Sequence, residues 1–218
     1  MNASVLIPAK GFANAKQRLA PHLSVVEREI LAESMLRSVL EQVRAAQGIQ
    51  ATYVVTADSA VTRMARSVGA QVIREQDERG ETEAVIFAVA QMKQNGIETV
   101  LILPGDLPLL RSRDVESILE QTPRDHAISP FALLVPSRDR MGTNALLLSP
   151  PDAITPRFGF DSFCYHLSEA SAKRLRLQVL ENERVALDID HLQDLEVFLS
   201  SRVGSESCRG LFERYADQ

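Results

Sequence analysis

Two patterns of apolar and polar residues alternate along the first half of the chain. Short apolar-rich runs at residues 4–9, 51–57, 70–75 and 99–103 predict β-strands, and the last of them has no polar alternation, which suits a strand covered on both faces. The stretches between these runs repeat their apolar residues every three or four positions, as helices do. This alternation with short connections is typical of an α/β fold with a mostly parallel sheet flanked by helices.

Local signals mark several helix ends. Ser24 and Glu27 are spaced as a capping box, which predicts a helix that begins directly after Ser24. Gly69 and Gly96 are expected to end the next two helices, because glycine is favoured just past a helix C-terminus. The buried side of the first helix is predicted to comprise six apolar residues, namely Ile30, Leu31, Met35, Val39, Leu40 and Val43.

The second half of the chain is less regular. Its predicted elements are helices over 112–121, 161–174 and 192–202, and strands within 126–137, 142–150 and 174–181. No repeat, low-complexity tract or linker divides the chain. Because 218 residues can form one sizeable core, a single domain is expected.

Composition narrows the classes of partner. The formal net charge of −5 gives no basic surface for nucleic acid. The 2 cysteines form neither a disulfide framework nor a CxxC site, which favours a reducing cytoplasm. No stretch is apolar for long enough to predict a signal peptide or a membrane span. We therefore expect a cytoplasmic protein that acts on small molecules.

Basic residues cluster directly after the first predicted strand. Lys10, Lys16 and Arg18 lie within nine residues of one another, at the end of a parallel strand, where ligands of such sheets bind. Lysine and arginine side chains there suit the phosphates of a nucleotide. Neither GxxxxGK[ST] nor GxGxxG is present, so a solvated basic loop is the alternative interpretation.

Three aspartates are candidate metal ligands. Asp106 ends the apolar run at 99–103, and its carboxylate oxygens suit Mg²⁺, although Asp also commonly caps turns. Asp188 and Asp190 alternate with apolar residues, so both side chains share one face if the segment is extended. One of the pair could complete a metal site with Asp106, while the other caps the helix that begins near His191.

Small polar residues form two further candidate sites. Thr143 precedes a predicted strand, and Gly159 and Ser162 lie near a predicted helix start. Backbone N–H groups beside glycine, together with a hydroxyl, can bind an anion, but either stretch could be an ordinary turn. His166, on the predicted helix over 161–174, is more often a packed or surface residue than a catalyst. The histidines show no metal-ligand spacing.

Taken together and in order, these motifs resemble the 2-phospho-L-lactate guanylyltransferase family of coenzyme F-420 biosynthesis. The resemblance rests on the first loop, the "VVTAD" and "LPGDLPLL" strand ends, "GTNALLLSPPDAI", "FGFDSF" and "ALDIDHLQDL". It implies one nucleotidyltransferase domain over residues 1–201, similar to molybdenum-cofactor guanylyltransferases and the GT-A type. Residues 202–218 form a tail outside it. The resemblance leaves open whether the chain assembles as a homodimer.

The family resemblance also implies reactants and residue roles. GTP and Mg²⁺ are expected, with a small phosphorylated three-carbon acid as the acceptor. The first-loop residues Lys10, Lys16 and Arg18 would contact the GTP phosphates, and Lys16 and Asp106 would be catalytic. The residues implied to bind metal are Asp106, Asp188 and Asp190. Those implied to bind the acceptor are Thr143, Gly159 and Ser162.

One motif departs from the family pattern. Many members have Gly-Leu-Asn-x-Ala after the third strand, where this chain has Glu81 and Thr82 between Gly80 and Glu83. In the family this stretch contacts the base or the acceptor, so Gly80 and Thr82 are predicted nucleotide-binding residues. A different acceptor, such as a sugar phosphate or a molybdopterin, is one alternative. A catalytically silent nucleotide-binding protein is another.

Overall fold

The computed structural model describes residues 3–123 and 130–201. Its strands are β1 (Ala3–Pro8), β2 (Ile49–Thr56), β3 (Gln71–Arg74), β4 (Val100–Ile102), β5 (Phe131–Pro136), β6 (Thr143–Ser149) and β7 (Arg176–Val179). Its α-helices are α1 (Val25–Ala45), α2 (Ser59–Ser67), α3 (Glu81–Gln94), α4 (Ser112–Glu120), α5 (Ser162–Ala172) and α6 (Leu192–Ser200). The predicted tail at 202–218 lies outside the described residues, as does part of the strand region predicted at 126–137. No described helix is long and apolar enough to cross a membrane.

The seven strands form one sheet in the order β3-β2-β1-β4-β6-β5-β7. β6 runs antiparallel to both of its neighbours, and the other pairings are parallel. The predicted α/β class with a mostly parallel sheet is therefore confirmed. Since β1 lies between β2 and β4, the loops that follow these three strands emerge side by side at one edge of the sheet, which we call the rim.

Helices cover both faces of the sheet. α1, α2 and α4 pack on one face, where Val5 and Leu101 point, and α3 and α5 pack on the other, where Leu6 and Ile102 point. Adjacent strand residues thus enter opposite cores, as the period of two in a strand requires. Burial on both faces explains why β4 is wholly apolar, with Val100, Leu101 and Ile102 all fully buried.

A third, smaller core lies beside α1 and positions the rim. It brings Leu19 of the first loop against Leu187 and Ile189, which alternate with the two aspartates, and against Leu195 and Phe198 of α6. Burying these side chains fixes the first loop and residues 187–190 next to each other.

The predicted helix signals are confirmed, with one correction. Ser24 Oγ accepts from Glu27 N at 3.3 Å, while the Glu27 carboxylate accepts from Ser24 N at 2.7 Å. Gly69 and Gly96 have φ of 85° and 77°, the left-handed conformation that glycine adopts without strain. In α1, Ile30 is only half-buried. Leu36 and Arg28 are buried on that helix instead.

Candidate active site

The three polar stretches that follow β1, β2 and β4 meet at the rim, as predicted. In the first loop, a Cβ at Gly11 would lie 3.0 Å from Oδ2 of Asp58, the residue that caps α2 after β2. Lys16 of the same loop contacts Asp106, which follows β4. Gly105, directly before Asp106, packs against α1, where a Cβ would lie 2.9 Å from Leu36 Cδ1.

Lys16 bridges two of the predicted metal ligands. Its ammonium donates to Asp106 Oδ2 and, at 3.3 Å, to Asp190 Oδ1. Arg18 Nη1 donates to Asp190 Oδ2 at 2.7 Å. Burial by itself would lower the pKa of Lys16, but the two carboxylates outweigh it and raise that pKa. The lysine therefore keeps its proton at neutral pH.

The backbone of the first loop is shaped to deliver Lys16. Lys16 has φ 53°, a left-handed conformation that is uncommon for a residue with a side chain. It precedes a short 3₁₀ helix at Gln17–Leu19. Arg28, a buried residue of α1, donates to Ala15 O at 3.0 Å and so ties the first loop to this helix. Residues that are held in uncommon backbone conformations, as Lys16 is, cluster at functional sites.

Asp188 reaches the same edge through Asn144. The Asn144 amide donates to Asp188 Oδ1 at 3.0 Å, and also to the carbonyls of Val185 at 3.0 Å and Ala186 at 3.1 Å. Burial raises the pKa of Asp188 to about 6, and the nearby negative charge of Asp106 adds to this shift. Asp106 and Asp190 thus act electrostatically on Asp188, and metal binding by the three aspartates stays a prediction.

The prediction that one of the two aspartates of residues 188–190 caps α6 is wrong. Neither Asp188 nor Asp190 caps α6. The carboxylate of Asp194 instead accepts from His191 N at 2.9 Å and from Asp190 N at 3.3 Å. Because Asp194 satisfies the free backbone N–H groups at the helix start, the side chain of Asp190 is left to pair with Lys16 and Arg18.

An ion pair between a buried carboxylate and a partly exposed arginine precedes the aspartate segment and anchors it to α4. Asp114 of α4 is only 1% exposed and contacts the guanidinium of Arg184 through both of its oxygens. Asn182 Nδ2 donates to Asp114 Oδ1 at 3.1 Å, and Arg111 N donates to Oδ2 at 3.0 Å. Burial would raise the pKa of Asp114, but these hydrogen bonds, led by those of Arg184, lower it.

We expect Arg184→Ala to reduce the free energy of unfolding by about 1.5–3 kcal/mol at pH 7, since it leaves a buried carboxylate without its charged partner. Urea denaturation measures this. The matched control is Arg37→Ala, which removes an exposed ion pair with Glu33 and should cost less than about 1 kcal/mol. Because the folded-state pKa of Asp114 is lowered, the deficit of Arg184→Ala should be complete above the ordinary value of 3.8 and disappear as the pH falls through the folded-state pKa. Equal deficits in the two variants at pH 7 would contradict this role.

A β-bulge re-aims the first two residues of β6. Val135 pairs with Ala145 while Pro136 pairs with Thr143, so Asn144 is the extra residue. Thr143 contacts α5, whereas Asn144 contacts residues 185–188. Bulges commonly redirect side chains beside active sites. Because β6 is antiparallel, these two residues at its start lie at the edge where β4 ends.

The three predicted acceptor residues lie near one another. Gly159 has φ 98°, and its carbonyl accepts from Ser162 N, the first residue of α5, at 3.2 Å. Ser162 Oγ is buried and has no hydrogen-bond partner among the described residues. Thr143 Oγ1 lies 2.9 Å from Nδ1 of His166, one turn further along α5. Of these two buried hydroxyls, that of Thr143 contacts His166 and that of Ser162 is unpaired among the described residues.

The start of α3, where predicted nucleotide-binding residues lie, contacts the loop that contains Gly159. Thr82 Oγ1 accepts from Phe158 N at 2.9 Å, which ties α3 to the Gly159 loop. Gly80, with φ 102°, precedes the helix. Lys10 is exposed and acts electrostatically on Glu81. Nucleotide binding by Gly80, Thr82 and Lys10 stays a prediction.

Glu81 is a rim residue that the sequence patterns did not select. Burial raises its pKa to about 7, and the charges of Asp106 and Asp190 add to the shift while Lys10 and Lys16 oppose it. The only available signal was its place in the stretch that departs from the family pattern. Glu81 adds a carboxyl group to those of Asp106, Asp188 and Asp190.

The carboxylates do not enclose an ion by themselves. Within residues 3–123 and 130–201, no three His, Cys, Asp or Glu side chains converge as a ready-made metal site. Asp106 Oδ1, however, is buried without a hydrogen-bond partner, while Oδ2 contacts Lys16. A buried carboxylate oxygen with a free lone pair is a fitting ligand for a hard cation.

Comparison with known proteins identifies the family. Residues 3–207 match the family model described as guanylyl transferase CofC like. The chain belongs to this family. The match runs past residue 201, where the resemblance by motifs ended. It agrees with the family named from the sequence motifs, so that prediction is confirmed.

The curated relatives of the chain are named for three different acids. The phosphoenolpyruvate guanylyltransferase of Conexibacter woesei is 35% identical over 98% of this chain and 96% of its own. The 3-phospho-D-glycerate guanylyltransferase of Colwellia psychrerythraea is 35% identical over 94% and 96%. The 2-phospho-L-lactate guanylyltransferase of Methanothermobacter thermautotrophicus is 33% identical over 89% and 83%. The percentages of sequence identity to these three relatives are too similar to select one acid for this CofC-like chain.

Solved structures confirm the nucleotidyltransferase fold. A nucleotidyl transferase from a Methanothermobacter species superimposes with a TM-score of 0.65 at 16% identity, covering 90% of this chain and 95% of its own. A CMP:2-keto-3-deoxy-manno-octonic acid synthetase solved with CTP has a TM-score of 0.61 at 16% identity, covering 96% and 100%. Both likenesses concern the fold alone.

Proposed function

We propose that this CofC-like protein transfers GMP from GTP to the phosphate of a three-carbon acid and releases pyrophosphate. The proposed acceptors are phosphoenolpyruvate, 2-phospho-L-lactate and 3-phospho-D-glycerate, the acids named for its relatives. The observation that supports this most is the meeting of Lys16 with Asp106 and Asp190 at the rim of a guanylyl transferase fold. The product would be a precursor of coenzyme F-420, made in the cytoplasm.

We propose that Mg²⁺ binds at Asp106 together with Asp188 or Asp190. The buried, unpartnered Oδ1 of Asp106 supports this, as does the preference of Mg²⁺ for one or two carboxylates completed by phosphates and water. Charge supports it too, since the carboxylates at the rim would repel two anionic substrates. When bound, Mg²⁺ supplies positive charge that neutralises the reacting phosphates.

The basic side chains position the nucleotide. Lys16, whose raised pKa keeps it protonated, can donate to a phosphate oxygen, and Arg18 offers the planar donor fork that suits phosphate. An oxygen of the acid's phosphate forms a bond to the α-phosphorus of GTP. The bond from that phosphorus to the bridging oxygen breaks, and pyrophosphate leaves with the electron pair. What the protein contributes is orientation and charge stabilisation.

No general base is required for this step. A phosphate monoester has a second pKa near 6, so at neutral pH it is largely dianionic and already nucleophilic. This fits the state of His166, the buried histidine nearest to the predicted acceptor residues. Burial lowers the pKa of His166 to about 4, and both ring nitrogens are within hydrogen-bonding distance of Thr143 or Arg157.

Pyrophosphate release from GTP tests the proposal. The protein is incubated with GTP, Mg²⁺ and each of the three acids, with glucose 1-phosphate as the control acceptor. We expect release with at least one acid, none with the sugar phosphate, and loss of the signal when a chelator removes the metal. Release with the sugar phosphate alone would indicate a different transferase. If pyrophosphate is released with none of these acceptors, a catalytically silent nucleotide-binding protein is favoured.

A further inference from the structure

His166 is bonded through both of its ring nitrogens at the centre of the predicted acceptor residues. It is fully buried in α5. Its Nδ1 lies 2.9 Å from Thr143 Oγ1, and its Nε2 accepts from the backbone N–H of Arg157 at 3.0 Å. The rings of Phe158 and Tyr165 pack edge-on against it at centroid distances of 5.8 and 5.6 Å. Both polar atoms of the imidazole thus have a partner, and its ring lies between two aromatic side chains.

The Arg157 contact determines which nitrogen carries the proton. A backbone N–H can only donate, so Nε2 must be unprotonated. A neutral imidazole then carries its proton on Nδ1, and this N–H must donate to Thr143 Oγ1. Burial, helped by the positive charge of Arg157, lowers the pKa of His166 to about 4, which is consistent with a neutral ring.

The donated hydrogen bond fixes the direction of the Thr143 hydroxyl. Its oxygen accepts from His166, so its own proton must point elsewhere, and no other described residue accepts it. Thr143 is itself only 5% exposed. The neighbouring residue Asn144 donates to Asp188 at 3.0 Å, so β6 carries the Thr143 hydroxyl and a contact to the carboxylate cluster on adjacent residues. The Thr143 hydroxyl is therefore a pre-oriented donor at the rim.

A second hydroxyl on α5 is also without a partner. Ser162 is four residues before His166, so the two side chains lie on the same face of the helix. Ser162 is 1% exposed, and its Oγ contacts no partner among the described residues. Buried hydroxyls normally have a hydrogen-bond partner, so the Ser162 hydroxyl has capacity left for a ligand or a water molecule.

We propose that His166 is a positioning residue that makes Thr143 a dedicated donor to the anionic acid substrate. The inference rests on the proposed function, because it takes the acid as the ligand of Thr143 and Ser162. It goes further in that His166 acts through Thr143 rather than on the reacting phosphates. A substitution of His166 should thus affect the acid and spare GTP.

A double-mutant cycle tests the inference. Thr143→Val removes the donor, and we expect the KM for the acid to rise roughly ten- to a hundredfold, as for a hydrogen bond to a charged group. His166→Gln can keep an acceptor for Arg157 while losing the fixed N–H. It should raise the acid KM about three- to tenfold and change the GTP KM by less than about twofold. In the Thr143→Val background, His166→Gln should have almost no further effect.

The controls separate positioning from packing. His22→Gln replaces an exposed histidine and should leave both KM values unchanged. If His166→Gln raised the acid KM equally in both backgrounds, or raised both KM values together, the residue would be structural and the inference wrong. Absence of transfer by the wild-type protein would instead overturn the proposed function.

A measurement on the wild-type protein avoids the risk that a variant misfolds. Long-range ¹H–¹⁵N correlation spectra report which nitrogen of a histidine is protonated. We expect His166 to carry its proton on Nδ1 across pH 6 to 8. A protonated Nε2 would overturn the inference even if guanylyl transfer is observed.

Discussion

Replacing Asp106 by asparagine is expected to reduce guanylyl transfer by at least about two orders of magnitude while the fold stays intact. The carboxylate offers one oxygen to Lys16 and has a second, buried oxygen that no protein group satisfies. An amide keeps the shape but removes the charge that would attract Mg²⁺. No core cavity opens and repulsion with Asp188 is relieved, but the buried Lys16 keeps only Asp190 as a charged partner. The free energy of unfolding should therefore fall by about 1–3 kcal/mol without loss of the fold.

The measurement is the initial rate of pyrophosphate release as a function of Mg²⁺ concentration. Asp152→Asn is the matched control, because Asp152 forms an exposed ion pair with Lys93. We expect this control to keep the wild-type rate and magnesium dependence. An Asp106→Asn protein with wild-type turnover at the same Mg²⁺ requirement would show that Asp106 does not bind the metal.

Lys16→Ala is expected to lower kcat/KM for GTP by roughly one to two orders of magnitude, the worth of a charge-assisted hydrogen bond to a phosphate. The contacts of Lys16 also predict an effect on stability. Its side chain is 9% exposed and lies between Asp106 and Asp190, so its loss leaves two carboxylates without their shared cation. We expect a loss of about 1–3 kcal/mol in the free energy of unfolding, partly restored by millimolar Mg²⁺.

Steady-state kinetics and thermal unfolding, each with Mg²⁺ and with a chelator, check both effects. The control is Lys93→Ala, which removes a half-exposed lysine from its pair with Asp152. It should change neither the kinetics nor the magnesium dependence of unfolding. Wild-type kinetics for Lys16→Ala would return the first loop to the status of a solvated surface loop.

Local patterns were sufficient for most of the fold. The apolar runs and helix repeats of the first half predicted β1 to β4 and α1 to α3 to within a few residues. The expectation that three strand ends meet at one edge followed from the geometry of parallel sheets, and the contacts of Gly11 and Lys16 confirm it. Such predictions succeed because they depend on burial and short-range backbone chemistry.

Interactions between distant segments were beyond the reach of those patterns. Nothing local to residues 143–149 indicates that β6 runs antiparallel, or that a bulge at Asn144 sends Thr143 toward α5. The cap of α6 was assigned to the wrong aspartate, because Asp190 pairs with side chains more than 170 positions away. The tautomer of His166 likewise depends on Arg157 and Thr143 together.

The most direct test of guanylyl transfer is the ³¹P NMR spectrum of a completed reaction with GTP, Mg²⁺ and each of the three acids. For at least one acid we expect two mutually coupled phosphorus signals from a new P–O–P linkage between guanosine and the acid, with one equivalent of pyrophosphate. A spectrum that contains only GTP and the unchanged acid in every case, or GDP with inorganic phosphate, would contradict the proposed function.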